Sequence, residues 1–190
     1  MQLMSIGVRG EIIVDLLSYA KDGASKGCLM AMADTEFSQK ITNFSKSNIS
    51  DDNLADDGRE TEPHITILYG FSPDFNENSL QNILNDFDGL YLELGLISRF
   101  ECPEYDVVKA EINSSKLHEL HYLIKNKFND SINSSYPIYH PHLTLAYIKK
   151  GSHKELDGHT GLAGQSFSVN SLCYSSPDKR RKILNLGKFK

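Results

Sequence analysis

The sequence has no apolar run long enough to cross a bilayer. Nothing approaches the ~18 consecutive apolar residues a spanning helix needs, and the short run Ile12-Ile13-Val14 stops at Asp15. Met1 to Gly10 lacks a basic stretch followed by an apolar one, so no signal peptide is expected. Positive charge is also short. A formal net charge of −5 argues against wrapping a long polyanion such as duplex DNA, because that affinity rests on many phosphate neutralisations. A small anionic substrate stays open. Cysteine is scarce: Cys28, Cys102 and Cys173 are an odd number with no metal-like pair spacing. They fit small buried residues in a reducing cytoplasm better than a disulfide framework.

What is present suffices for a real core. At 190 residues and 39% hydrophobic content, the chain fits one domain or two closely packed lobes. Ile6 to Ala20 reads as a helix in an extension over residues 1–26, and residues 27–190 as a single domain. Gly27 to Ala33 reads as a buried strand. Asp34 is placed to cap a helix running to Asn48, with Phe37, Ile41 and Phe44 on one face. The polar stretch Asn48 to Glu62 has no periodicity and predicts a long loop. Strands follow at Ile65 to Tyr69, Leu90 to Ile97, Tyr105 to Ile112, His142 to Ile148, Phe167 to Tyr174 and Lys182 to Leu186. Helices are predicted over Ser79 to Phe87 and, more strongly, Ser115 to Phe128, where Leu117, Leu120, Ile124 and Phe128 recur at helical spacing. The class is α/β or α+β.

The chain repeats seven residues: Pro63-His64-Ile65-Thr66-Ile67-Leu68-Tyr69 and Pro141-His142-Leu143-Thr144-Leu145-Ala146-Tyr147. Pro, His, Thr and Tyr match in register, and the other positions are apolar. Side chains two apart on a strand point the same way, so His64 shares a face with Thr66, and His142 with Thr144. A core alone would not require that pairing twice. In-line cleavage of a phosphodiester needs a base on the attacking oxygen and an acid on the leaving oxygen, which two imidazoles can supply. The threonine hydroxyls can donate to the non-bridging oxygens, where charge grows in the transition state. No metal or other cofactor is expected for that arrangement.

Two HxT motifs about eighty residues apart in a chain of this size resemble the 2H phosphoesterase superfamily. The resemblance implies an α+β fold of two lobes about a pseudo-dyad, with antiparallel sheets lining a central cleft and helices outside. It places the catalytic histidines at His64 and His142 and the phosphate-binding hydroxyls at Thr66 and Thr144. The stretches Gly58-Arg59-Glu60-Thr61-Glu62-Pro63-His64, Tyr69-Gly70-Phe71, Ala146-Tyr147-Ile148-Lys149-Lys150-Gly151 and Ser175-Ser176-Pro177 are further similar to bacteriophage proteins that counter CBASS immunity. That similarity implies cleavage of 3′–5′ linkages in cyclic di- or trinucleotide signals, with the adjacent ribose 2′-hydroxyl as nucleophile. It would act in the host bacterial cytoplasm.

Other readings stand beside these. Opening of 2′,3′-cyclic phosphate RNA ends or cleavage of 2′–5′ oligoadenylate would use the same four residues. A non-hydrolytic nucleotide sponge would need no acid and base, and a structural phage component would not need the catalytic pair. His140, His142 and Glu62 form a conceivable zinc set, though the repeat preserves threonine instead. His118 and His121 are expected on an exposed helix edge, and His153 and His159 in a solvated loop. Tyr69 and Tyr147, at an odd offset from their histidines, are expected on the apolar face. Tyr136 and Tyr139 are the candidates for stacking on a nucleobase. The basic clusters Lys149-Lys150 and Lys179 to Lys182 are expected as solvated surface.

Overall fold

The computed structural model describes residues 26–134 and 138–187. The predicted helix at Ile6 to Ala20 and the candidate Tyr136 lie outside the described residues. Among the described residues are nine strands: β1 (Gly27–Met32), β2 (Leu54–Arg59), β3 (His64–Phe71), β4 (Leu90–Glu101), β5 (Tyr105–Asn113), β6 (His142–Lys149), β7 (Ser166–Val169), β8 (Ser171–Ser175) and β9 (Arg181–Asn185). Three α-helices join them: α1 (Thr35–Asn48), α2 (Asn78–Leu84) and α3 (Ser115–Lys127).

Alternating apolar residues make one antiparallel sheet in the order β7-β4-β5-β6-β3-β1-β8-β9, with β2 also on β6. The expected lobes are the two halves of this sheet, joined where β3 meets β6 at the pair Ile65 and Leu143. These are equivalent positions of the repeat, so a pseudo-dyad passes between them. The sheet is strongly curled. β7 ends one edge of the order and β8 lies near the other, yet only Asn170 separates them in sequence. The run Phe167 to Tyr174, expected as one strand, is therefore two strands serving opposite halves.

The helices cover the convex face. Asp34 caps α1 by accepting from the Phe37 amide at 2.8 Å, and Ser114 caps α3 at the Leu117 amide. α1 packs against β6, and α3 against β3. Each helix thus lies behind the motif strand of the other half. Phe37 and Ile41 of α1, and Leu117, Leu120 and Ile124 of α3, join Ile65, Ile67, Leu143 and Leu145 in one core.

The predicted loop over Asn48 to Glu62 is partly strand. Leu54–Arg59 pairs with β6 through Leu54 opposite Ile148 and Arg59 opposite Ala146. Its side chains alternate weakly because it is a polar edge strand, held by backbone pairing and by Arg59. The Arg59 guanidinium donates to the Ser45 carbonyl at 2.8 Å, to the Ile49 carbonyl and to Asp51. It thereby ties down the C-terminal end of α1, where the Ser45 carbonyl also accepts the Ile49 amide at 3.0 Å. Gly70, with φ of 111°, lets the end of β3 lie against the backbone of Asn133, where an added Cβ would sit 2.6 Å from the Asn133 carbonyl oxygen.

The three cysteines are buried and free. Among the described residues no helix is long and apolar enough to cross a membrane. Lys149 and Lys150 are exposed, as expected, with Lys149 donating to the Asp52 carbonyl and Lys150 pairing with Asp106. Two histidines expected in solvent are not: His153 is half-buried and meets Asn53 and Glu155. His121 is buried, with 6% of its surface exposed.

Candidate active site

The antiparallel crossing at Ile65 and Leu143 sets His64 across from Thr144 and Thr66 across from His142. All four side chains line one cavity of about 310 Å³, within the range of small-ligand sites. Each imidazole is held the same way. His64 Nδ1 donates to the Glu62 carbonyl at 2.8 Å, and His142 Nδ1 to the His140 carbonyl at 2.7 Å. A carbonyl only accepts, so Nδ1 carries the proton in both rings and Nε2 is left for chemistry in the cavity.

The surroundings of the two rings differ. His142 meets the Phe100 ring edge-on at 5.0 Å, and the buried Lys109 ammonium lies 4.3 Å from the centre of that ring. Lys109 also pairs with Glu111 and donates to Ser98 at 2.6 Å. Burial is the main influence on His142 and pulls its pKa down to about 4; the bond to His140 opposes this and Lys109 adds to it. His142 is therefore a neutral imidazole at neutral pH. Burial disfavours the Glu111 carboxylate, but hydrogen bonds from Lys109 and Ser98 outweigh it and hold its pKa below the usual range. On the other side Glu60 lies 4.0 Å from His64 Nδ1. Glu62 turns to Arg181 in a bidentate pair at 2.9 and 2.6 Å, which takes the carboxylate of the conceivable zinc set. Among the described residues no group of three or more His, Cys, Asp or Glu side chains is arranged to hold a metal ion.

Both motif strands carry the same irregularity. In β3 the pairing with β1 steps from Leu68 to Thr66, leaving Ile67 extra. In β6 the pairing with β5 steps from Ala146 to Thr144, leaving Leu145 extra. Ile67 and Leu145 occupy the same position of the repeat. Each is a β-bulge, so the residues on its two sides, Thr66 and Leu68 or Thr144 and Ala146, fall on opposite faces. The expectation that Tyr69 and Tyr147 face the core is therefore wrong. Both line the cavity with the histidines and threonines. The strand rule reads the offset correctly only for an unbroken pleat; the signal available in the sequence was the tyrosine's presence in both copies.

The bulges are fastened from behind. Ser45 of α1 donates to the Leu145 carbonyl at 3.2 Å, which also accepts the Glu60 amide at 3.1 Å. His121 of α3 donates through Nδ1 to the Ile67 carbonyl at 2.7 Å, and burial first of all lowers its pKa and keeps it neutral. Tyr139 stacks on His121 with ring centres 4.1 Å apart and planes 2° apart, and its hydroxyl donates to the Thr66 carbonyl at 3.0 Å. Tyr139 lines the cavity, with one ring face covered by His121. His121→Ala should lower stability by about 1–3 kcal/mol, the cost of an unsatisfied buried carbonyl. Urea unfolding would read this, and an unchanged midpoint would mean that the bulge needs no such fastening.

A curled antiparallel sheet carrying two dyad-related His/Thr pairs in one cleft defines a two-histidine phosphoesterase. A family model described as the 2′-5′ RNA ligase superfamily matches residues 36–179. The chain belongs to that superfamily, whose members are phosphoesterases and phosphodiesterases.

Solved structures share the fold at low identity. TT0787 of Thermus thermophilus superposes with a TM-score of 0.62 and 12% identity, covering 84% of this chain and 95% of its own. E. coli LigT complexed with phosphate gives 0.59 and 11%, covering 85% and 94%. Kluyveromyces marxianus Usb1 with uridine monophosphate gives 0.54 and 10%, covering 87% and 100%. No curated protein sequence matches significantly.

Proposed function

We propose that this chain is a metal-independent phosphodiesterase that cuts 3′–5′ linkages of cyclic di- or trinucleotide immune signals, serving a bacteriophage against CBASS defence. The observation that carries the phosphodiesterase reading is the crossing of β3 and β6, which gathers His64, Thr66, His142 and Thr144 around one cavity. The sequence similarity around both motifs supports the choice of substrate. His142, neutral through burial, is the base that takes the 2′-hydroxyl proton as the 2′-oxygen bonds to phosphorus. His64, the other imidazole, gives its proton to the departing 5′-oxygen as that bond to phosphorus breaks. Thr66 and Thr144 donate to the non-bridging oxygens. Cys28 supports Thr66 from the side, its thiol 4.0 Å from the threonine hydroxyl; burial first of all pushes that thiol up to about 12, so it stays protonated.

A second reading is favoured by the family itself. The same centre would open 2′,3′-cyclic phosphate RNA ends or cut 2′–5′ oligoadenylate, and a neighbour, E. coli LigT, is known complexed with 3′-AMP. Purified protein incubated in EDTA with 3′,3′-cyclic di- and trinucleotides, 2′–5′ oligoadenylate and cyclic-phosphate-ended RNA separates the readings by product. Turnover of the cyclic dinucleotides is expected to survive chelation. Loss in EDTA with recovery on added zinc would overturn the metal-independent mechanism.

A further inference from the structure

We infer that Tyr69 and Tyr147 are paired nucleobase platforms, one on each side of the bound phosphate, and that the cleft is built for a ligand with two bases flanking one phosphodiester. The inference rests on the reading of this cleft as a nucleotide site and adds how the bases are held.

Four observations meet here. The tyrosine recurs at the same position of both repeats. The duplicated bulge at Ile67 and Leu145 turns each ring from the convex face to the cavity. Each is only half-buried, unlike the leucine and isoleucine residues behind it. Each ring is also braced at its flank: Tyr69 packs against the Cys28, Met30 and Cys173 cluster, and Tyr147 meets Tyr105 edge-on at 5.9 Å.

The geometry follows from the dyad. β3 and β6 run antiparallel through Ile65 and Leu143, so moving from histidine to tyrosine leads away from the crossing in opposite directions. The phosphate-binding hydroxyls lie near the axis and the two aromatic rings outboard of it. A phosphodiester joining two nucleosides has the same layout, with charge at the centre and a flat π-surface on either side. Stacking on a tyrosine is tolerant of base identity because every base has a π-face.

The test uses binding rather than turnover. Calorimetric titration with a 3′,3′-cyclic dinucleotide bearing 2′-deoxyriboses, which offers no internal nucleophile, is compared with titration by a nucleoside 3′-monophosphate. Tyr69→Leu and Tyr147→Leu should each weaken the dinucleotide roughly tenfold, the scale of one lost base–aromatic stack. Tyr→Phe at either position should keep affinity within about twofold, since the ring face is retained. The mononucleotide, with one base, should be weakened by one of the two leucine variants and not by the other. Unchanged dinucleotide affinity in both leucine variants would overturn the inference, as would phenylalanine variants as weak as leucine, or no dinucleotide binding by the unsubstituted protein. A cleft merely collapsed by substitution would weaken both ligands in both variants, which would also overturn it. Failure of the proposed catalysis would appear separately, as intact binding with no turnover of the ribose-containing ligand.

Discussion

A cyclic dinucleotide lacking the 2′-hydroxyl beside the scissile phosphate should bind this protein and resist cleavage. The cavity brings together the imidazoles of His64 and His142 and the hydroxyls of Thr66 and Thr144, with Ser134 also on its lining; Cys28 is buried beside Thr66. In the proposed mechanism an internal 2′-hydroxyl would supply the nucleophile and gain an intramolecular advantage on the order of 10⁵ or more. The 2′-deoxy or 2′-O-methyl analogue at that ribose should lose about that factor in rate, whereas the same change at the other ribose should leave the first cut possible. Mass spectrometry of early time points should show linear products ending in a 2′,3′-cyclic phosphate or a 3′-phosphate. Rapid cutting of the fully deoxy ligand, or products ending in a 5′-phosphate, would mean that water attacks directly.

Removal of either imidazole is the second large effect. His64→Ala and His142→Ala should each reduce turnover by about a hundredfold or more, the scale of lost general acid or base catalysis. The pH profile tells the two apart. His142 has a pKa lowered chiefly by burial to about 4, so as pH falls through about 4 it takes up a proton and the rate should fall. In His142→Ala that low-pH fall should disappear, whereas in His64→Ala it should persist. Near-wild-type turnover in either variant would remove that histidine from the mechanism.

The repeat made the centre legible in advance. Prolines leading into strands, with His and Thr two apart, led to the cleft positions of all four side chains, because a strand's alternation is enforced by the core behind it. Where the pleat is interrupted, alternation fails, and Tyr69 and Tyr147 fall on the cavity side. His121 was illegible for a related reason. Its spacing on α3 does not reveal that the Ile67 carbonyl, released from the ladder by the bulge, needs a donor from that helix. Lys109 and Glu111 belong to the same class, since only the register of β5 against β6 brings them beside Thr144 and His142. Strand β2 carries too little apolar alternation to be read, and the break between β7 and β8 falls on a single residue, Asn170, too short a signal to divide the run Phe167 to Tyr174. α1 and α3 were read to within a residue or so at each end, because their caps and apolar spacings are local properties, whereas α2, which lacks a side-chain cap, ends at Leu84 rather than Phe87.

The exchange of helices between the halves has a consequence for how the molecule comes apart. The first half contributes α1 to the core behind β6, the second contributes α3 to the core behind β3, and Asn170 stitches the strands at the far ends together. Neither half encloses its own apolar face. Loss of order in one half exposes the buried surface of the other, so denaturation should proceed as one cooperative transition rather than lobe by lobe. The most distant stretches of sequence must meet before either half gains its core, a topology that favours slow assembly over rapid local collapse.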